Sequence, residues 1–545
     1  MPHPRRLTGW LLALVAACGH GATAAERACA DLAALSRPGL RVLRAEAVAA
    51  GALPAENPAR AALTGAARAR AALPAHCVVE GTINPRTGAG GRPFGIGFEL
   101  RLPEAWNGRL LFQGGGGLDG VLNEAVGAIP LAGATAPPAL NRGYAVVSTD
   151  SGHRGTSSRD ASFGLDQQAR LDFAYAALGE VSREARALVA ARYGRDPARA
   201  YYMGCSNGGR TAMMAAQRFP ALFDGVVAGN PGFRLSRAAI AQAWDVAAFA
   251  RAAPRGAGGE PDLAAAVSDA DLRLVADAVL RGCDAADGLA DGSIDAIAAC
   301  RFDPAVLRCS GAKADTCLAP VQVEALNRVF GGARDGRGRA LYAGWPWDAG
   351  IAAPGWRAWK LGTARAPALN AVLAPAALGL YFMTPPAADL DLTAVDFDRV
   401  TEQTAQTAAI NDAASTMLSS FAARGGKLLV YHGNSDPVFS AEDLRAYWQD
   451  LARDNGGTDA LEHWARLFVV PGMTHCGGGP ALDDFDPLTA VETWVETGHA
   501  PDRLIARGAA FPGRSRPLCP YPLEARYGGG DPRDAGAFVC RVPPP

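Results

Sequence analysis

The chain lacks an excess of charge: its 545 residues carry 53 Lys and Arg against 54 Asp and Glu, a formal net charge of −1 at pH 7. With charged residues at 20 %, neither sign dominates enough to favour nucleic acid or an anionic membrane surface as partner. No C-x-x-C pair occurs among the 11 cysteines and their spacings are irregular, which argues against zinc ligation. No apolar run near the start is long enough to span a bilayer, Trp10 to Ala17 being too short. The glycine run Gly114-Gly115-Gly116-Gly117 has neither Walker nor Rossmann spacing. Internal repeats are absent as well.

What is present begins with an export signal. Arg5 and Arg6 precede the short apolar run, and Ala22-Thr23-Ala24 fits an A-x-A cleavage site, so residues 1–24 read as a signal peptide. Val15-Ala16-Ala17-Cys18 also resembles a bacterial lipobox. The expectation is a secreted or periplasmic protein, with an outer-membrane lipoprotein anchored through Cys18 as the alternative. Setting Cys18 aside leaves ten cysteines: Cys29, Cys77, Cys205, Cys283, Cys300, Cys309, Cys317, Cys476, Cys519 and Cys540. An even number in an exported chain suggests five disulfides.

At this length a main domain plus a large insertion is expected. Residues 25–74 are rich in Ala and Arg and read as a helical lead-in. Residues 94–102 alternate as a half-exposed strand, and residues 110–113, 144–148, 201–205 and 225–229 read as short buried strands. Helix-compatible sequence over 167–193 separates two of them, giving the alternation of an α/β sheet. The rhythm stops near Phe233 and resumes with Lys427-Leu428-Leu429-Val430-Tyr431. The expected architecture is thus one α/β domain in two parts, 25–232 and 415–545, with residues 233–414 inserted as a lid. The C-terminal tail reads as irregular and stapled.

The strand over 201–205 runs into Gly204-Cys205-Ser206-Asn207-Gly208, a G-x-S-x-G pattern followed by a helix-compatible run. Such a nucleophile elbow leaves the serine hydroxyl exposed on a strained strand-to-helix turn. The helix N-terminus offers backbone N–H groups to a developing oxyanion, and the glycine run after residues 110–113 is where a second donor would come from. An elbow serine needs a base and an orienting acid, in the chain order Ser, acid, His. Of His432, His463, His475 and His499, only His475 follows the last strand in a glycine-bordered loop. Asp436 follows directly on the strand from Lys427, whereas Asp398 and Asp412 precede it; a helix-capping aspartate is the competing reading for Asp436. Cys205 and Cys476 flank the candidate serine and histidine, and a disulfide between them would hold the two side by side, since bonded cysteines have Cα atoms about 5.5–6 Å apart.

In Cys205-Ser206, Asp436 and His475-Cys476 the chain resembles the tannase/feruloyl esterase family of secreted serine esterases, from about Cys29 to Cys540. The resemblance implies an α/β-hydrolase core with a lid over the serine, and disulfides 29–77, 205–476, 283–300, 309–317 and 519–540. It implies oxyanion donors from Gly117 and Asn207. It also implies a structural Ca²⁺ in the turn Cys283 to Ser293, held by Asp284, Asp287 and Asp291 and the carbonyls of Leu289 and Ser293; from the residues alone this is clustered oxygen chemistry suited to a hard cation, or a solvated acidic turn. No organic cofactor is expected. Trp345, Trp347, Trp356 and Trp359 fall in the presumed lid, and Trp359 aligns with an aromatic wall of the substrate pocket. The family branch that hydrolyses terephthalate monoesters holds the substrate's free carboxylate with a lid arginine. Here that place falls near Leu369–Asn370, Arg365 is out of register, and Leu373 stands near a phenylalanine position. The activity implied is hydrolysis of small esters of aromatic acids, feruloyl-esterase-like, with terephthalate monoester hydrolase and tannase as alternatives. A reading from another class is a non-catalytic, calcium-stabilised binding protein.

Overall fold

Successive side chains of a strand point to opposite faces, so short continuous apolar runs bury both, and this is what sets the layers of the molecule. The computed structural model describes residues 26–53, 71–256 and 258–543; the signal segment 1–24 and Cys18 lie outside the described residues. Nine strands form one sheet: β1 (Leu40–Val48), β2 (His76–Thr87), β3 (Pro93–Pro103), β4 (Arg109–Gln113), β5 (Ala145–Thr149), β6 (Arg199–Cys205), β7 (Gly225–Gly229), β8 (Lys427–Gly433) and β9 (Ala465–Val470). Their order is β1-β2-β3-β5-β4-β6-β7-β8-β9. The first three pairings are antiparallel and the remaining five parallel. Parallel strands need both faces covered, and they have it. Phe112, Tyr202, Val226, Leu428 and Val430 enter one apolar cluster, while Leu111, Tyr201, Val227, Leu429 and Tyr431 enter another.

Between β7 and β8 the chain adds no strand to this sheet. It forms helices, among them Leu235–Ala252, Asp269–Cys283, Pro320–Phe330 and Phe397–Asn411, and a two-residue hairpin. These helices build a third cluster around Trp244, Phe249, Trp345 and Trp356, which continues without a break into Phe163, Phe173 and Phe439 of the flanking segments. After β9 the tail makes two small hairpins, Leu504–Ala506 with Arg516–Leu518 and Glu524–Tyr527 with Phe538–Arg541. Five disulfides join 29–77, 205–476, 283–300, 309–317 and 519–540.

Two local expectations are corrected. The lead-in is not helical through its described part: after one 3₁₀ turn at Ala30–Leu35 it enters the sheet as β1, paired with β2. Alanine and arginine favour helix only while nothing better is available, and an open sheet edge is better. β3 is not half-exposed either, being buried along nearly its whole length. One face carries Ile96, Phe98 and Leu100 into the core. On the other, Arg101 pairs with Glu99 at 2.6 Å and Glu124 at 3.2 Å, so polar residues there mark an internal ion pair rather than solvent.

Candidate active site

The glycine run, the candidate serine, the acid and the base each sit at the C-terminal end of a parallel strand, where open α/β sheets present their sites. The glycine run follows β4, Ser206 follows β6, Asp436 follows β8 and His475 follows β9. Ser206 has φ 65° and ψ −125°, the strained left-handed turn between β6 and the helix Asn207–Arg218. Glycine is required on both sides of it. A Cβ on Gly204 would lie 2.7 Å from the Gly208 carbonyl group, one on Gly208 2.6 Å from the Gly115 oxygen, and one on Gly209 2.3 Å from the Gly229 oxygen. The G-x-S-x-G spacing is therefore the imprint of a helix packed directly on the two neighbouring strand ends.

Asp436 and His475 lie together, with Asp436 Oδ2 2.9 Å from His475 Nδ1. The other ring nitrogen, Nε2, is buried with no hydrogen-bond partner among the described residues. A histidine held through Nδ1 by a carboxylate and open at Nε2 is a base aimed away from its orienting acid. The Cys205–Cys476 disulfide has a Cα–Cα distance of 6.1 Å, so Ser206 and His475 are each one residue from the two ends of that link. Both are half-buried. Trp359 and Phe439 wall the imidazole, with ring centroids at 5.6 Å and 5.4 Å and near-perpendicular planes.

Asp436 is 2 % exposed. Burial alone would raise its pKa; the charge and hydrogen bond of His475, with His432 and Asn230, outweigh it and hold the carboxyl below its ordinary range. The backbone N–H groups of Val438 and Phe439 donate to Oδ1 at 2.7 and 3.2 Å. Two supporting residues escaped the sequence. Asn230 Nδ2 donates to Asp436 Oδ2 at 2.7 Å, and its only local signal is a Gly-Asn-Pro turn after β7. His432, considered above only as a rival base, is fully buried 3.7 Å from Asp436 Oδ2. Its Nε2 lies 2.9 Å from the Phe439 carbonyl, which can only accept, so Nε2 carries the proton; burial pushes its pKa down.

Near the serine, Gly117 has φ 60°, and a Cβ there would fall 2.5 Å from the Ser158 oxygen. Asn207 is buried at the start of the helix, its Nδ2 donating to Asp119 Oδ1 at 3.0 Å and its Oδ1 accepting from Arg210 Nε at 2.7 Å. The tryptophans divide. Trp345 and Trp356 are buried core, and Trp347 stacks on Phe330 at 3.6 Å; Trp359 is the one of the four that reaches His475. Asn370 is fully buried and its Nδ2 is 3.4 Å from Asp245 Oδ2, while Arg365 is exposed at the turn of the two-residue hairpin and Leu373 is half-buried.

In the acidic turn, Asp284 accepts from the N–H groups of Asp291 and Gly292 at 3.2 and 2.8 Å, and Asp287 from Leu289 and Asp295 at 2.9 and 3.1 Å. Asp291 is paired with Arg514 at 3.3 Å and with Arg516, partners from the tail that the sequence did not reveal. Burial, with the neighbouring Asp291 and Asp284, pushes the Asp287 carboxyl up to about 6. Among the described residues no three His, Cys, Asp or Glu side chains converge as a metal cluster. No helix among them is long and apolar enough to cross a membrane.

The pattern of the family described as tannase and feruloyl esterase matches residues 77–541. The chain is 42 % identical over 524 residues to mono(2-hydroxyethyl) terephthalate hydrolase of Piscinibacter sakaiensis, covering 87 % of this chain and 86 % of that protein. It is 37 % identical over 581 residues to an uncharacterized esterase of Xanthomonas campestris, covering 97 % and 94 %. Among solved structures, feruloyl esterase B from Aspergillus oryzae superposes with a TM-score of 0.77 at 26 % identity, covering 93 % of this chain and 98 % of that one.

Proposed function

Because the chain belongs to the tannase and feruloyl esterase family, we propose that Ser206, His475 and Asp436 hydrolyse small esters of aromatic acids through an acyl-enzyme. The protein is a carboxylic ester hydrolase, and the observation that carries the residue assignment is the Asp436–His475 hydrogen bond beside the Cys205–Cys476 link. In this reading His475 Nε2 takes the Ser206 proton as Oγ attacks the ester carbonyl. Asp436 holds the tautomer and stabilises the imidazolium. The backbone N–H groups of Gly117 and Asn207 receive the oxyanion. As the tetrahedral intermediate collapses, His475 returns the proton to the departing alcohol. Water then repeats the cycle on the acyl-enzyme, releasing the acid and restoring Ser206.

Residues 233–414 serve as the lid and Trp359 as the wall for the aromatic ring. Their support is the apolar cluster continuous with Phe163 and Phe439, and the contact of Trp359 with His475. Asp284, Asp287 and Asp291, with the carbonyls of Leu289 and Ser293, would hold a structural Ca²⁺ through oxygen donors alone. Here, however, the three carboxylates do not converge as a cluster and are engaged by backbone N–H groups, Arg514 and Arg516, so binding would need them to turn toward the ion. The N-terminal segment directs export, and five disulfides suit an oxidising compartment.

The test is a panel of methyl ferulate, methyl gallate and mono(2-hydroxyethyl) terephthalate with wild type and single Ala variants at Ser206, His475 and Asp436. Each variant is expected to lose several orders of magnitude in kcat with folding intact, because the three act as a unit. Near-wild-type turnover by Asp436→Ala would remove it from the triad. For the ion, chelation is expected to lower Tm and added Ca²⁺ to restore it, since a ligand of the folded state stabilises by mass action. An unchanged Tm, with no metal found by elemental analysis, would refute the calcium site.

A further inference from the structure

The two proposed oxyanion donors lie on segments far apart in sequence: Gly117 ends the glycine run after β4, and Asn207 opens the helix after Ser206. One buried carboxylate joins them. Asp119, two residues beyond Gly117, is 4 % exposed. Its Oδ1 accepts from Asn207 Nδ2 at 3.0 Å, and its Oδ2 accepts from Ser151 Oγ. Its own N–H donates to the Gly116 carbonyl at 3.1 Å, closing the turn around Gly117, and a Cβ on Gly115 would lie 2.9 Å from either carboxylate oxygen. The carboxylate therefore sits directly beneath the glycine run.

The amide between them has one possible orientation. Asn207 Oδ1 accepts from Arg210, which can only donate, and Nδ2 donates to Asp119. Arg210 is fully buried and fixed in turn on the carbonyls of Phe173 at 2.9 Å, Ala174 at 2.8 Å and Asn411 at 3.1 Å. The row Asn411–Arg210–Asn207–Asp119–Ser151 thus runs as a satisfied polar network through the interior. A buried carboxylate is costly wherever packing alone is needed. Burial raises the pKa of Asp119, opposed by Ser151, Asn207 and the charge of Arg210.

We propose that Asp119 is the positioning residue of the oxyanion hole, tying the glycine loop that carries Gly117 to the Asn207 that opens the helix. The proposal rests on the acyl-transfer reading of Ser206. Oxyanion donors act by being fixed before charge develops, and a displacement of about 1 Å in such a site costs on the order of 100-fold in rate. Asp119 touches no substrate; it acts through the two donors.

The experiment is a double-mutant cycle in the full-length, oxidised protein. Asp119→Ala, Asn207→Ala, the pair together and Asp119→Asn are compared with wild type on a p-nitrophenyl ester, with phenylboronic acid as a tetrahedral analogue and Tm as control. Asn207→Ala keeps its backbone N–H, so its effect reports the side-chain tie alone. Asp119→Ala is expected to lower kcat and boronate affinity by about 10–100-fold with KM changed less than about threefold. The double variant should be no worse than Asp119→Ala. Asp119→Asn, which keeps an oxygen for Asn207 Nδ2, should recover most of the rate. Additive losses, or kcat within about twofold of wild type in Asp119→Ala, would overturn the proposal. If Asp119→Ala does not fold, Asn207→Ala must by itself show the same kcat and boronate losses, and normal values there overturn it. A wild-type enzyme without ester hydrolysis that Ser206→Ala abolishes would overturn the underlying reading as well, and the wild-type arm shows which has failed.

Discussion

Asp150 closes β5 just behind the glycine loop, and its backbone carbonyl accepts from the Gly120 N–H at 3.0 Å. The N–H groups of Gly97 and Gly152 donate to its Oδ1 at 2.9 Å each, but its Oδ2 is buried without a partner. Burial pushes this carboxyl up to about 7, against those two donors and Arg154, with Asp119 adding to the rise. A carboxyl pKa raised on folding means that the folded state holds its proton longer than the unfolded chain does. Stability from this group is therefore complete below about pH 4, falls as pH rises towards about 7, and is flat above it. At about 1.4 kcal/mol per pKa unit the loss is a few kcal/mol. Asp150→Asn removes the titration, so the variant should gain on wild type progressively from pH 4 to 7 and hold a constant advantage at pH 8. Urea midpoints for both proteins across that range check it, and a difference independent of pH would contradict it.

At the scale of elements, the adjacent parallel strands β6, β7, β8 and β9 bring the strand-to-helix elbow and the loops after β8 and β9 together. The Cys205–Cys476 link ties the elbow covalently to the loop that carries His475. The two cysteines are 271 residues apart, so the loop closed in the unfolded chain includes everything between β7 and β8. In the chain-entropy model a loop of that length contributes about 5–6 kcal/mol. Replacing both cysteines by Ala should lower Tm and also reduce kcat more than KM, because His475 loses its tether while the aromatic wall on Trp359 stays. Steady-state kinetics at a temperature where the variant remains folded separates the two effects; kcat equal to wild type there would show that the link serves stability alone. This part of the site was legible before folding because its signals are local: an elbow spelled in five residues, a histidine and an acid each at a strand end, cysteines beside two of them. Asn230, His432 and Asp119 were not, since each acts on a group 4 to 206 residues away and no local pattern announces it. The same limit explains β1 and β3. Pairing with β2 decided the first, and a buried Glu99–Arg101 pair disguised the second as half-exposed.

For the molecule as a whole, the strand ends carry Ser206, Asp436 and His475, and the segment between β7 and β8 adds Trp359 beside His475. Under the proposed function, substrate choice follows from what that segment places there. It places Trp359, an aromatic wall with no charge. The place at which the family resemblance puts the arginine of the terephthalate monoester branch falls near Leu369–Asn370, where the sequence has no guanidinium. Asn370 is committed to Asp245 inside the core, and Arg365 points from an exposed turn. An ionised substrate carboxylate must shed water on binding, and a charge-assisted contact returns about 1.5–3 kcal/mol, or about 10–150-fold in affinity. Without that contact a free carboxylate is a burden. The expected outcome is that 2-hydroxyethyl benzoate, which has the same leaving group and no carboxylate, reacts with a kcat/KM at least equal to that of mono(2-hydroxyethyl) terephthalate. The comparison holds the leaving alcohol constant, so the ratio reports the recognition of the acyl portion. Raising salt should leave the ratio nearly unchanged, because no ion pair is there to screen. A preference of about tenfold or more for the terephthalate monoester, weakening as salt rises, would show that a cation reaches the carboxylate from elsewhere in the segment.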